Sequence, residues 1–159
     1  MFIDNSLFLT MDWLFIAIYF GNLLNYIDRG VISTLLPTLH EEFHLTKMEQ
    51  GILGSTFMIG YIISCILFSY LSSFYCRKRL LIIGGSVWLI STLIMTISNQ
   101  TWLLYLGRSL SGVGEASYQS IVPMLLSDIY GEERGWRRTS IFFTAINIGL
   151  SLGLLFGGA

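Results

Sequence analysis

Five apolar runs, each long enough to cross a bilayer, make up most of this chain, and its few charges gather in short clusters between them. A helix needs about 20 residues to span roughly 30 Å of hydrocarbon. The runs at about 13–37, 49–72, 80–98, 102–127 and 139–159 meet that length. Charged residues are 12% of the chain and hydrophobic ones 53%, against a usual charged share of roughly 25%. The pattern predicts an all-α integral membrane fold of about five transmembrane helices, with the lipid bilayer as its first partner. A net charge of −1 gives no footprint for nucleic acid. Two cysteines, Cys65 and Cys76, fit neither a disulfide framework nor a zinc set. The first run is too long for a secretory h-region, and no Lys or Arg precedes it, so it reads as a retained span.

Basic residues in the short connections set the direction of threading. Arg77, Lys78 and Arg79 fall between the second and third runs, and Arg134, Arg137 and Arg138 between the fourth and fifth. The opposite connection has only Lys47, among Glu41, Glu42 and Glu49. Both basic loops and the N-terminus are therefore expected on the cytoplasmic side of a multi-pass protein, and residue 159 near the other face. The sequence does not choose between the plasma membrane and an endolysosomal one. Asn99-Gln100-Thr101 is a formal glycosylation sequon on the outer side, in a loop too short for the glycosylation machinery to reach.

Charges inside the runs are more telling, because at membrane depth they are kept where they face protein or a water-filled path. The first run carries Asn25, Asp28 and Arg29, and is expected to end near Pro37. The fourth carries Arg108 and Glu115; the third has none. At 1.5 Å per residue, Asp28 lies ~22 Å from a start near residue 13. On the antiparallel fourth run Arg108 lies ~9 Å, and Glu115 ~20 Å, below the outer end. Asp28 and Arg108 thus reach similar depth on different helices, with Glu115 nearer the midplane. Seven residues is almost two turns, so Arg108 and Glu115 face one direction, as do Asn25 and Asp28, while Arg29 points away. One reading is a static buried pair that fixes helix packing, of little net stability. The other is a switch, in which an arginine moving between two acids couples protonation to conformation. Tyr118, one turn beyond Glu115, either lines the same cavity or packs.

Weaker signals have plainer readings. Gly149, Gly153 and Gly157 form a small-xxx-small stripe that favours close helix approach, and Gly51, Gly54 and Gly60 read the same way. His40 and His44 have a spacing that suits a metal or a pH sensor, but no third ligand accompanies them, and a solvated loop is the plainer account. No metal, no cofactor and no enzyme are expected, since the chain has no nucleophile–base constellation and no phosphate-cradling loop.

The order of these residues resembles the spinster-like branch of the major facilitator superfamily. The likeness lies in Asn25-Tyr26-Ile27-Asp28-Arg29, in Gly112-Val113-Gly114-Glu115-Ala116-Ser117-Tyr118, in Pro123 and in Asp128-Ile129-Tyr130, and it runs from about residue 20 onward. The resemblance implies a twelve-helix transporter of two six-helix halves, working by alternating access around a central site, on lysolipid-like or sphingolipid-like amphiphiles. By that likeness Asp28, Arg108 and Glu115 are the proton-coupling residues, and Asn25, Arg108, Glu115 and Tyr118 line the substrate cavity. Arg77, Lys78 and Arg79 belong to the cytoplasmic gate loop. Residues 1–159 then read as part of an N-terminal six-helix bundle, truncated within or after the fifth helix. Two positions depart from the family's pattern: Ser73 stands where the gate loop usually has an acid, and Asn147 where the fifth helix often has proline.

Two other readings compete. One is a facilitator-type carrier of another organic anion, with Arg108 on a carboxylate. The other is a membrane-embedded interaction or regulatory fragment without transport, whose Gly149, Gly153 and Gly157 stripe would face lipid or a partner.

Overall fold

The computed structural model describes residues 5–158. Among them are five α-helices and no strand: α1 (Asn5–Phe43), α2 (Lys47–Leu71), α3 (Arg77–Thr96), α4 (Thr101–Tyr130) and α5 (Glu132–Gly157). Each coincides with one expected run. The outer position expected for residue 159 and the side expected for the first four residues lie outside the described residues. By length and composition α2, α3 and α5 are apolar enough to cross a membrane. Helix α1 carries Asn22, Asn25, Asp28 and Arg29, and α4 carries Arg108, Glu115 and many small residues. Such faces need protein or water against them.

Local chemistry explains the helix ends. Pro37 does not stop α1, which continues to Phe43. The stop is a Schellman-type turn: His44 takes a positive φ of 52°, and the Leu45 N–H donates to the His40 carbonyl at 3.2 Å. Leu45 is buried there, and the His40 imidazole pairs with the Leu45 carbonyl. His40 is thus part of a helix cap rather than of a loop. A capping box starts α2, with the Thr46 hydroxyl accepting from the Glu49 N–H at 3.3 Å and the Glu49 carboxylate accepting from the Thr46 N–H at 2.7 Å. Gly131, at φ 76°, makes the bend between α4 and α5.

The gate residues also differ from expectation. Arg77, Lys78 and Arg79 form the first turn of α3 rather than a loop, and Arg134, Arg137 and Arg138 lie in the opening turns of α5. Helix propagation reaches past the hydrophobic boundary into the basic residues, which moves them from connection to helix.

The chain divides into two compact units. The first joins α1 up to Leu35 with the end of α4 from Leu126 and all of α5. Here the α5 glycine stripe packs on α1. A Cβ at Gly153 would lie 2.8 Å from the Gly30 Cα and collide with the Ile27 carbonyl, and one at Gly149 would lie 2.6 Å from the Tyr26 Cβ. A stripe facing lipid or a partner protein is therefore not what this chain builds; α1 covers it.

The second unit runs from Leu36 to Leu125 and holds α2, α3 and most of α4. Helix α4 is small along two sides. Gly112 meets the Phe57 carbonyl and Tyr61 N–H of α2, and Gly114 lies against Trp88 and Gly84 of α3. Phe68, Leu80, Ala116 and Ile121 form a buried cluster with Tyr61, Cys65, Leu71 and Val113 around it.

Candidate functional site

Helix α4 buries a stripe that runs Leu104, Arg108, Ser111, Glu115 and Val122. These positions recur at three, four and seven residues, so one face carries them all. Glu115 is 0% exposed and Arg108 7%, which places both expected charges on a protein-covered face. The guanidinium of Arg108 lies 4.5 Å from the ring centroid of Phe57 on α2. A desolvated cation over an aromatic face gains about 2 kcal/mol, so Phe57 supplies part of what water would give. The glycine at 112 brings the α2 backbone close enough for this contact.

Tyr118 points elsewhere. Its ring and hydroxyl lie beside Gly85 of α3, with the hydroxyl 3.5 Å from where a Gly85 Cβ would stand, and the residue is half-buried.

The first unit supplies the α1 residues. Asn25 is buried, while Asp28 and Arg29 are half-buried. The Arg29 guanidinium lies 5.8 Å from the Tyr26 ring centroid. Asn22, one turn before Asn25, escaped the sequence reading. It is fully buried, and its Nδ2 donates to the Phe142 carbonyl of α5 at 3.3 Å. Its Oδ1, like the Asn25 Nδ2, has no hydrogen-bond partner among the described residues. A signal was available: Asn22, Asn25 and Asp28 recur every third residue in an apolar helix. Buried amides with spare hydrogen-bonding capacity suit a wet or ligand-bearing face.

The structure thus gathers Arg108 and Glu115 on one stripe of the second unit and Asn25 and Asp28 on a polar track of the first. Arg77 is half-buried, and Lys78 and Arg79 are exposed at the start of α3. Beside them Cys76 is exposed, and the backbone N–H groups of Arg79 and Lys78, with the charges of those side chains, hold its thiol below the usual range. Arg138 forms an ion pair of 2.6 Å with Asp12 and stacks 4.7 Å from the rings of both Phe15 and Tyr130. Among the described residues no His, Cys, Asp and Glu group suits a metal ion.

The family model described as "Major Facilitator Superfamily" matches residues 18–159. The chain is 37% identical over 138 residues to the human protein spinster homolog 1, covering 86% of this chain and 26% of the relative. To spinster homolog 1 of Xenopus laevis it is 35% identical over 144 residues, 89% of this chain and 27% of the relative. To a zebrafish (Danio rerio) protein named sphingosine-1-phosphate transporter SPNS2 it is 33% identical over 140 residues, 87% of this chain and 28% of the relative. The chain therefore spans about a quarter of the length of the curated relatives it matches.

Proposed function

This chain belongs to the Major Facilitator Superfamily, and on that premise we propose that the protein carries a lysolipid-like or sphingolipid-like amphiphile across a membrane in a proton-linked, alternating-access cycle. The family is one of multi-pass membrane transporters rather than enzymes. The observation that supports the finer reading is the burial of Arg108 and Glu115 on one stripe of α4. The printed name of the zebrafish relative supports the substrate class.

In this scheme Arg108 binds the anionic head of the amphiphile, and Asp28 acts with it as the proton-linked pair. Glu115 and Asn25 line the cavity, while Tyr118, turned toward Gly85 of α3, packs rather than lines it. A guanidinium offers a fork of donors suited to a phosphate or carboxylate, and the surrounding low dielectric strengthens that contact. Rocking of the helices around a midplane site then exposes the bound head to either side.

The test uses the protein as expressed from its native gene, reconstituted in liposomes. Flux of sphingosine phosphate and of lysophosphatidylcholine is measured with and without a pH gradient. Wild type is expected to respond to the gradient, and Asp28→Asn to lose that response. Arg108→Ala is expected to weaken substrate binding by roughly ten-fold or more, the usual loss for a hydrogen bond to a charged group. Wild-type rates and pH profiles in both variants, at normal membrane levels, would overturn the scheme. Flux of organic acids without lysolipid flux would replace it with the carrier of another organic anion.

A further inference from the structure

The opening turns of α5 build a cleft that the transport scheme does not use. It encloses 390 Å³ and is lined by Asp12, Tyr130, Arg134, Arg137, Arg138 and Ile141, all within the first unit. Three guanidiniums and one carboxylate, Asp12, line it, while Glu132 and Glu133 stand in the first turn of α5 outside its wall. Asp12 is held by Arg138 at 2.6 Å, which neutralises that pair. Glu133 reaches Arg137 only at 3.8 Å, with both side chains largely in solvent, a contact of little strength. Arg134 is exposed and forms no ion pair among the described residues. The cleft therefore keeps a net positive charge along its open side, next to the N-terminus of a 26-residue helix.

Its level relative to the bilayer follows from the same helix. The apolar run of α5 begins at Ile141, which is itself part of the cleft wall. Arg138 stands three residues earlier, about 4.5 Å along the axis. Trp136, 72% exposed, marks the same level, where tryptophan is enriched at membrane–water boundaries. A cationic cleft with an apolar floor at that height matches a phospholipid head and the start of its acyl chains, and arginine forks suit phosphate oxygens.

We propose that this cleft binds the phosphodiester headgroup of an anionic phospholipid, with Arg134 and Arg137 as ligands and the Asp12–Arg138 pair as a preformed wall. The lipid is a bound component rather than cargo, so the proposal is independent of the transport reading.

The full chain, purified in detergent with equal amounts of dioleoylphosphatidylglycerol and dioleoylphosphatidylcholine, would be examined by native mass spectrometry for retained lipid. Wild type is expected to retain the anionic phosphatidylglycerol preferentially. Arg134→Gln with Arg137→Gln is expected to lower that preference by roughly ten-fold. Arg77→Gln with Lys78→Gln, which removes as much charge at the other basic cluster, is expected to leave it unchanged. Asp12→Asn frees Arg138 and should raise the preference, a gain that misfolding does not imitate. Equal retention of both lipids by wild type, or an undiminished preference in the Arg134/Arg137 variant, would overturn the proposal. So would displacement of the lipid by millimolar inorganic phosphate, which would make the cleft a site for the free ion.

Discussion

A guanidinium inside an apolar helix persists where something replaces its water, and at Arg108 the face of Phe57 does part of this. Phe57→Leu keeps the site apolar but removes the ring, so it should destabilise the protein by about 1–2 kcal/mol. Phe57→Tyr should retain most of the stability. Thermal unfolding in detergent reads the difference, and equal losses for Leu and Tyr would remove the ring from the account. Cys76 offers a second test. Its thiol is held low by the backbone N–H groups of Arg79 and Lys78 and by their charges, so more of it is thiolate at neutral pH than of an ordinary cysteine. Alkylation by iodoacetamide should rise with pH to a midpoint below that of a free cysteine peptide. Lys78→Gln with Arg79→Gln should move the midpoint up; an unmoved midpoint would leave the charges without a role. Asn22 shows where residue-level reading stops. Its neighbours Asn25 and Asp28 stood out as charge and motif, but a lone amide in an apolar run looks like a tolerated polar residue. Its three-residue spacing from Asn25 is a faint signal in the sequence, and its burial beside the Phe142 carbonyl is what makes it plain.

Helices in lipid gain little from hydrophobic burial against one another, so close backbone approach has to hold them. The α5 stripe and its partner Gly30 are built for this. Gly153→Leu would drive a side chain into the α1 backbone, and overpacking of this kind costs about 1–3 kcal/mol. Gly51 and Gly54 of α2 have open space where a Cβ would go. Gly51→Ala or Gly54→Ala should therefore be neutral or stabilising by roughly 0.5–1 kcal/mol, the helix preference of alanine over glycine. Melting temperatures of the three variants decide this, and comparable losses at Gly51 and Gly153 would contradict the packing. The sequence could not separate the two glycine sets, because both show small residues at helical spacing and only a neighbouring helix tells them apart. The element count and the order of the runs, by contrast, were readable, since twenty apolar residues admit few alternatives to a helix in lipid. The ends were less so. Pro37 suggested a stop that the cap at His44 actually makes, because a proline inside a long helix removes one donor without forcing the chain to turn.

At the scale of the molecule, threading is the property that charge predicts and packing does not. Six of the basic residues flank α3 and α5 at their starts, Arg77, Lys78 and Arg79 in one case and Arg134, Arg137 and Arg138 in the other. Their position in helix rather than in loop does not alter the argument, because the basic bias is counted within about 15–20 residues of a span end. The connection at the other ends of α1 and α2 holds Lys47 against Glu41, Glu42 and Glu49. Transfer of either arginine cluster across the bilayer is the step that the bias opposes, so both should stay in the cytoplasm. Cys76, exposed beside Arg77, is a native reporter of that side, whereas the half-buried Cys65 packs in the α2–α4 cluster. A membrane-impermeant maleimide should leave Cys76 unlabelled in intact cells and label it after permeabilisation. In a Cys76→Ser background, and with the protein expressed at the plasma membrane, Lys47→Cys should show the reverse and react in intact cells. Labelling of Cys76 from outside would invert the threading of every helix, and with it the leaflet that the arginine cleft of α5 faces.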